Sequence, residues 1–216
     1  MDISTAIRTN GSVRGFTADP VADATVAAVL DDARFAPSGG NRQPWRVAVV
    51  KDQAIRRTMA DLMLPVWREY VGANATGVTA FAFGKSIDAT PIDAPNALVE
   101  NIHDIPLVLA IAADLHHIAL MDGNLDRPPV TAGASIYPFC WNLLLSARAH
   151  GLGGVMTTFL SRAEPAVAPA LGLPAGHALA AVIFLGVPVH QPTKLSRKPV
   201  ESFTTIDRFD GPAFAG

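Results

Sequence analysis

Residues 33–45 read Ala33-Arg34-Phe35-Ala36-Pro37-Ser38-Gly39-Gly40-Asn41-Arg42-Gln43-Pro44-Trp45. A helical pattern stops here and a strand begins. Upstream, Val26, Val29, Leu30 and Ala33 recur at helical spacing behind Pro20, which predicts a helix over 20–36. Residues 37–41 break it as a loop, and 47–50 follow as a short buried strand. Ser38, Asn41 and Gln43 offer the donors and acceptors that a heterocycle edge requires. Gly39 and Gly40 let backbone approach a flat ligand closely. By itself, an ordinary helix–strand connection explains the loop about as well.

Working outward, Asp52 is placed to cap a helix with Ile55, Met59, Leu62 and Met63 on its apolar face. Residues 65–104 interrupt the pattern with Gly72, Gly77, Gly84, Pro91 and Pro95. Trp67, Tyr70, Phe81 and Phe83 supply aromatic surface there, so the segment reads as an excursion from one core, near the substrate side. Residues 107–112 form a continuous apolar run, as a central strand does. The clearest helix is 134–150, with Ile136, Phe139, Cys140, Leu143, Leu144 and Ala147 on one face and Gly151 closing it. Ser161 and Glu164 have capping-box spacing ahead of Val167, Ala170 and Leu171, and Gly172 ends that helix. Residues 180–187 read as another buried strand. The proline-rich tail, 188–216, has too little apolar content for a core and is expected to pack on a partner subunit. Helices alternating with short strands give α/β or α+β, a sheet covered by helices.

The 216 residues suffice for a single domain, 1–216, and half of them are apolar, which excludes a disordered chain. A net charge of −2 argues against a broad nucleic-acid interface. The longest apolar runs, 107–113 and 178–185, fall far short of the roughly 20 residues of a bilayer span. Met1-Asp2-Ile3-Ser4 has no basic flank leading into an apolar stretch, so no signal peptide is expected and a cytoplasmic location is the default. The single cysteine, Cys140, excludes an internal disulfide and a multi-cysteine metal site.

Four clusters could carry chemistry. Arg8, Ser12 and Arg14, just before Phe16, could hold a phosphate, because a guanidinium donates in a fixed fork. Alone, they would more often be solvated. The 37–45 loop is the second. The third is Gly151-Leu152-Gly153-Gly154-Val155-Met156-Thr157-Thr158, which lacks dinucleotide-fingerprint spacing and follows a helix. It reads as a loop that presents backbone N–H groups to a ring, or as a helix cap and turn. The fourth is Lys194 and Arg197, otherwise a solvated basic tail. His116 and His117 follow Asp114, but adjacent side chains diverge, and no metal site is assigned.

Together these segments resemble the nitroreductase family of flavoproteins, from Arg8 to about Gly211. Residues 36–45 are similar to its A-P-S-x-x-N-x-Q-P-W signature. Ser12-Val13-Arg14-Gly15-Phe16 is similar to its S-x-R-x-F phosphate motif, and 142–153 to its central-helix pattern. Many members carry two arginines directly before the serine. Here Asn10 and Gly11 stand there, leaving Arg8 as the candidate replacement.

The resemblance implies an α+β fold: a central mixed, mainly antiparallel sheet wrapped by helices, in an intertwined homodimer with two FMN sites at the interface. Arg8, Ser12, Arg14, Lys194 and Arg197 would hold the phosphate. Pro37, Ser38, Gly39 and Asn41 would come from the other subunit, Gln43 would lie near the ribityl or ring edge, and Gly153, Gly154 and Thr157 by the ring. It also implies hydride transfer from NAD(P)H through the flavin to a nitroaromatic, quinone or enone acceptor, by a ping-pong mechanism. A specialised relative, such as a reductive dehalogenase or flavin-fragmenting enzyme, and a non-catalytic flavin-storage protein are the alternatives.

Overall fold

A computed structural model describes residues 1–77, 81 and 90–214. In chain order the elements are α1 (Ile3–Arg8), α2 (Asp23–Ala33), β1 (Trp45–Val49), α3 (Gln53–Ala75), α4 (Ala97–Glu100), β2 (Leu107–Asp114), α5 (Tyr137–Ala149), β3 (Gly153–Thr157), α6 (Phe159–Arg162), α7 (Glu164–Leu171) and β4 (His177–Gly186). The four strands form one sheet in the order β1-β2-β4-β3, and every pairing among them is antiparallel. The class is α+β.

β2 is buried at all eight positions because both sheet faces are covered. Leu107, Leu109 and Ile111 pack with Val29 of α2 and with Phe139 and Leu143 of α5. Val108 and Ala110 face the other way, against Met59 and Met63 of α3 and Val167 of α7. An apolar run without alternation is what a strand between two helical layers requires. Cys140 belongs to the first core, and burial pushes its thiol up to about 12, so it stays protonated and inert.

The expected helices are present with altered limits. α2 ends at Ala33, where Phe35 and Ala36 donate to the carbonyls of Asp32 and Ala33 in a tightened turn. Pro37 disfavours helical backbone at Ala36, so the chain leaves the helix early. Residues Thr131–Ser135 form a short 3-10 turn, and α5 starts only at Tyr137. Pro138 has no N–H to bond backward, which bars the α-helix from beginning earlier.

Two expectations are corrected. The segment from residue 65 was expected to break from helix, yet α3 continues through Pro65 to Ala75. Pro65 and Asp61 are both exposed, so water can reach the carbonyl that the proline leaves unpaired, while Val66 and Ala73 remain buried. Of the remaining segment, Phe83 and Gly84 lie outside the described residues. The Ser161–Glu164 capping box does not form. Ser161 sits inside α6 with a buried, unpartnered hydroxyl, and Glu164 accepts the backbone N–H of Leu179. No described helix is long and apolar enough to cross a membrane.

Arg56 of α3 is buried and ties three segments together. Its Nε donates to the Val50 carbonyl at 2.9 Å and its Nη1 to the Ile105 carbonyl at 2.7 Å. Burial pulls its pKa down from the ordinary arginine value. Arg56→Met keeps the stem but leaves both carbonyls without a donor, and should cost about 2–4 kcal/mol. Urea denaturation followed by tryptophan fluorescence reads this loss, and an unchanged midpoint would contradict it.

Candidate active site

β3 is the edge strand on which the site is built. Residues 153–157 were expected as a loop, but they pair with β4 from Gly153↔Gly186 to Thr157↔Val182. Local sequence did not predict a strand because two glycines open it. Gly153 is needed for close approach: a Cβ there would fall 2.5 Å from Val13 Cγ2. Val13 donates its N–H to the Gly154 carbonyl at 3.0 Å, so the N-terminal segment covers the outer edge of β3. Val13 is buried while Ser12 and Arg14 on either side are exposed, as alternation in an extended segment dictates. The C-terminal segment lies alongside: Thr17 donates to the Val187 carbonyl at 2.9 Å and Val189 to that of Gly15 at 3.1 Å.

This crossing creates a cradle of about 500 Å³ lined by Ile7, Arg8, Thr193, Lys194, Leu195 and Arg197. Arg8, at the end of α1, therefore meets both tail cations. None of the three is paired with a carboxylate among the described residues, and no acid lines the cradle. Buried Asn10 Nδ2, two residues past Arg8, also lacks a partner there.

Past Arg14 lies a larger cavity of about 710 Å³. Its lining includes Arg14, Met156, Thr157 and Thr158 together with Trp67, Tyr70, Asn96 and Phe159. The three aromatic rings pack mutually, with centroids 6.0 Å apart for Trp67–Tyr70 and 5.7 Å for each with Phe159. Trp67 Nε1 donates to the Ala94 carbonyl at 3.1 Å, holding the 90–96 segment on α3. Thr158 closes the 151–158 cluster singled out from the sequence, Trp67 and Tyr70 stood there only as aromatic surface, and sequence reasoning did not find Asn96 and Phe159. The one available signal was the i, i+3 spacing of Trp67 and Tyr70, hidden behind Pro65.

The 37–43 loop lies elsewhere. Pro37, Ser38 and Gly39 line a separate cleft with Met121, Thr131 and Ser135. Gly39 N–H donates to Ser135 Oγ and Gln43 N–H to Ser38 Oγ, both at 3.0 Å. Asn41 and Gln43 take left-handed backbone, φ 53° and 50°, and Gln43 Nε2 donates to the Asn41 carbonyl. Opposite the loop, Asp122 accepts from Val130, Thr131 and Arg127, which holds its carboxyl far below the usual carboxylate range. His117 bonds Asp114 through Nδ1 at 2.7 Å.

Within one chain this loop and β3 occupy opposite corners of the sheet. β1 and β3 are its two edges. Trp45 pairs with Ala113 at one end of β2, whereas Gly153 pairs with Gly186, beyond the Leu107 end. At about 4.8 Å per strand and about 3.4 Å per residue, the two corners are roughly 25–30 Å apart. The structure thus joins Arg8, Lys194 and Arg197 in one cavity, Arg14 and Thr157 in a second, and Pro37, Ser38 and Gly39 in a third. Gly153 and Gly154 shape the β3 edge. Ser12, Asn41 and Gln43 line none of the three.

The model of the nitroreductase family matches residues 7–187. The chain belongs to the nitroreductase family. This nitroreductase-family chain is 29% identical to the NADH dehydrogenase of Thermus thermophilus, over 93% of its own length and 94% of the relative's. It is 33% identical to the 5,6-dimethylbenzimidazole synthase of Rhodospirillum rubrum, over 82% and 77%. Among solved structures, a Desulfovibrio desulfuricans protein in complex with FMN shares the fold, with a TM-score of 0.70, 21% identity and coverage of 97% and 98%.

Proposed function

We propose that this nitroreductase-family chain is an FMN-dependent oxidoreductase that works as a homodimer and passes electrons from NAD(P)H to a small-molecule acceptor. The observation that carries the reading is the convergence of Arg8, Lys194 and Arg197 from opposite chain ends, without carboxylate partners among the described residues, six residues along the chain from Arg14 of the aromatic cavity. The intervening 8–14 segment spans at most about 20 Å, so one elongated ligand could engage both cavities.

In this reading Arg8, Lys194 and Arg197 hold the FMN phosphate by charge-assisted hydrogen bonds, with Ser12 and Arg14 donating from the same side of their extended segment. Met156, Thr157 and Thr158 border the ring. Residues 37–43 come from the partner subunit and supply Ser38, Asn41 and Gln43 along it. Bound there, FMN would supply hydride transfer between NAD(P)H and a nitroaromatic, quinone or enone by a ping-pong mechanism. Trp67, Tyr70 and Phe159 exclude water and offer flat apolar faces to the acceptor. Among the described residues no acid lines either cavity, which favours an anionic ligand. The dimer is supported by exposed apolar groups: Tyr137 and Trp141 one turn apart on α5, and Phe203, Phe209 and Phe214 on the tail.

The test is direct. The purified protein should be yellow, release FMN on heating, and oxidise NADH or NADPH when an acceptor is added. A colourless protein that takes up no FMN would sink the reading. The 33% identity to 5,6-dimethylbenzimidazole synthase keeps a second reading, a specialised flavin enzyme. Flavin binding without turnover of simple quinones or nitroaromatics would favour it.

A further inference from the structure

Arg8 and Lys194 share a cradle only because the two chain ends cross. At the crossing, Gln191 Nε2 donates to the Thr9 carbonyl, 182 residues away, at 3.1 Å and to the Gly11 carbonyl at 3.3 Å. Gly11 completes the contact. A Cβ there would fall 2.7 Å from Pro192 Cβ, 2.8 Å from the Pro192 carbonyl oxygen and 2.9 Å from Leu195 Cδ2. Residues 192–195 therefore lie directly on residue 11, with Lys194 held between two pinned neighbours.

We propose that Gln191 is a positioning residue for the FMN phosphate: it clamps the C-terminal strap over Gly11 so that Arg8, Lys194 and Arg197 are assembled before the ligand arrives. This rests on the FMN reading of the cradle. Three like charges around one cavity repel each other, and a neutral amide bonded to main-chain carbonyls opposes that repulsion without adding charge. The clamp also accounts for the departure at position 11. An arginine side chain there would occupy the space of Pro192 and Leu195, so the strap leaves no room for one at position 11, and Arg8 is the N-terminal cation that meets Lys194 and Arg197.

Riboflavin, which is FMN without the phosphate, separates this role from general structure. FMN and riboflavin affinities are measured by flavin fluorescence quenching on the wild-type protein freed of flavin, on Gln191→Leu and on Gly11→Ala. The expected result is a loss of FMN affinity of about tenfold in Gln191→Leu, with riboflavin affinity within about twofold of wild type. Gly11→Ala, which pushes on the same crossing by a methyl group, should shift the FMN-to-riboflavin ratio in the same direction, and it decides alone should Gln191→Leu fail to fold. Variants that keep the wild-type ratio, or lose both ligands equally, overturn the role of Gln191. A wild-type protein that binds riboflavin as tightly as FMN overturns the phosphate reading of the cradle, and this proposal with it.

Discussion

Mixing two inactive variants, Asn41→Asp and Arg197→Glu, is expected to restore about one quarter of wild-type activity. Asn41→Asp places a carboxylate on the 37–43 loop, beside the proposed flavin ring. Arg197→Glu turns one cation of the phosphate cradle into an anion. Each change should disable every site of its own homodimer. In one chain the two positions lie on structures at opposite sheet corners: the loop leads into edge strand β1, and the cradle adjoins edge strand β3. A single flavin reaches both only if the loop comes from the partner subunit. In a mixed dimer one site then collects both defects and the other collects neither. Random refolding of an equal mixture yields about half mixed dimers, each with one intact site of two, hence about one quarter. Mixed dimers that form but show no activity above the separate variants would mean that each site is built from one chain. A monomer by light scattering at micromolar concentration would refute the shared site more directly.

The second large effect concerns the cradle itself. Arg197→Ala should weaken FMN binding by roughly tenfold to hundredfold, since a charge-assisted contact to phosphate contributes about 1.5–3 kcal/mol. Arg8→Ala combined with it should lose roughly a hundredfold to a few hundredfold, less than full additivity, because both side chains act on one group. Arg197 is exposed and among the described residues makes only a local bond to the Ser196 carbonyl, so its removal should leave the thermal midpoint of the flavin-free protein unchanged. Equilibrium dialysis of FMN, with melting followed by circular dichroism, separates binding from folding. Unchanged affinity in the double variant would remove both residues from the site.

The sequence by itself determined what local periodicity records. The 107–112 run gave β2 because a strand covered on both faces needs no polar alternation, and Phe139, Cys140, Leu143 and Ala147 marked the buried face of α5. The 36–45 signature pointed to the family, and the cationic residues of the cradle were all legible as residue types. The tertiary structure decided what depends on contacts distant in the chain. Gly153–Thr157 is a strand because β4 and the Val13 segment hold it on both sides, against the preference of its glycines. α3 runs through Pro65 because packing of its second half outweighs one lost hydrogen bond. Glu164 serves Leu179 and not a helix cap, since the strand amide lies within its reach. Only the fold brings Arg8 to Lys194 and Arg197, or separates the 37–43 loop from β3 by the width of the sheet, because sequence spacing carries no record of which distant segments cross.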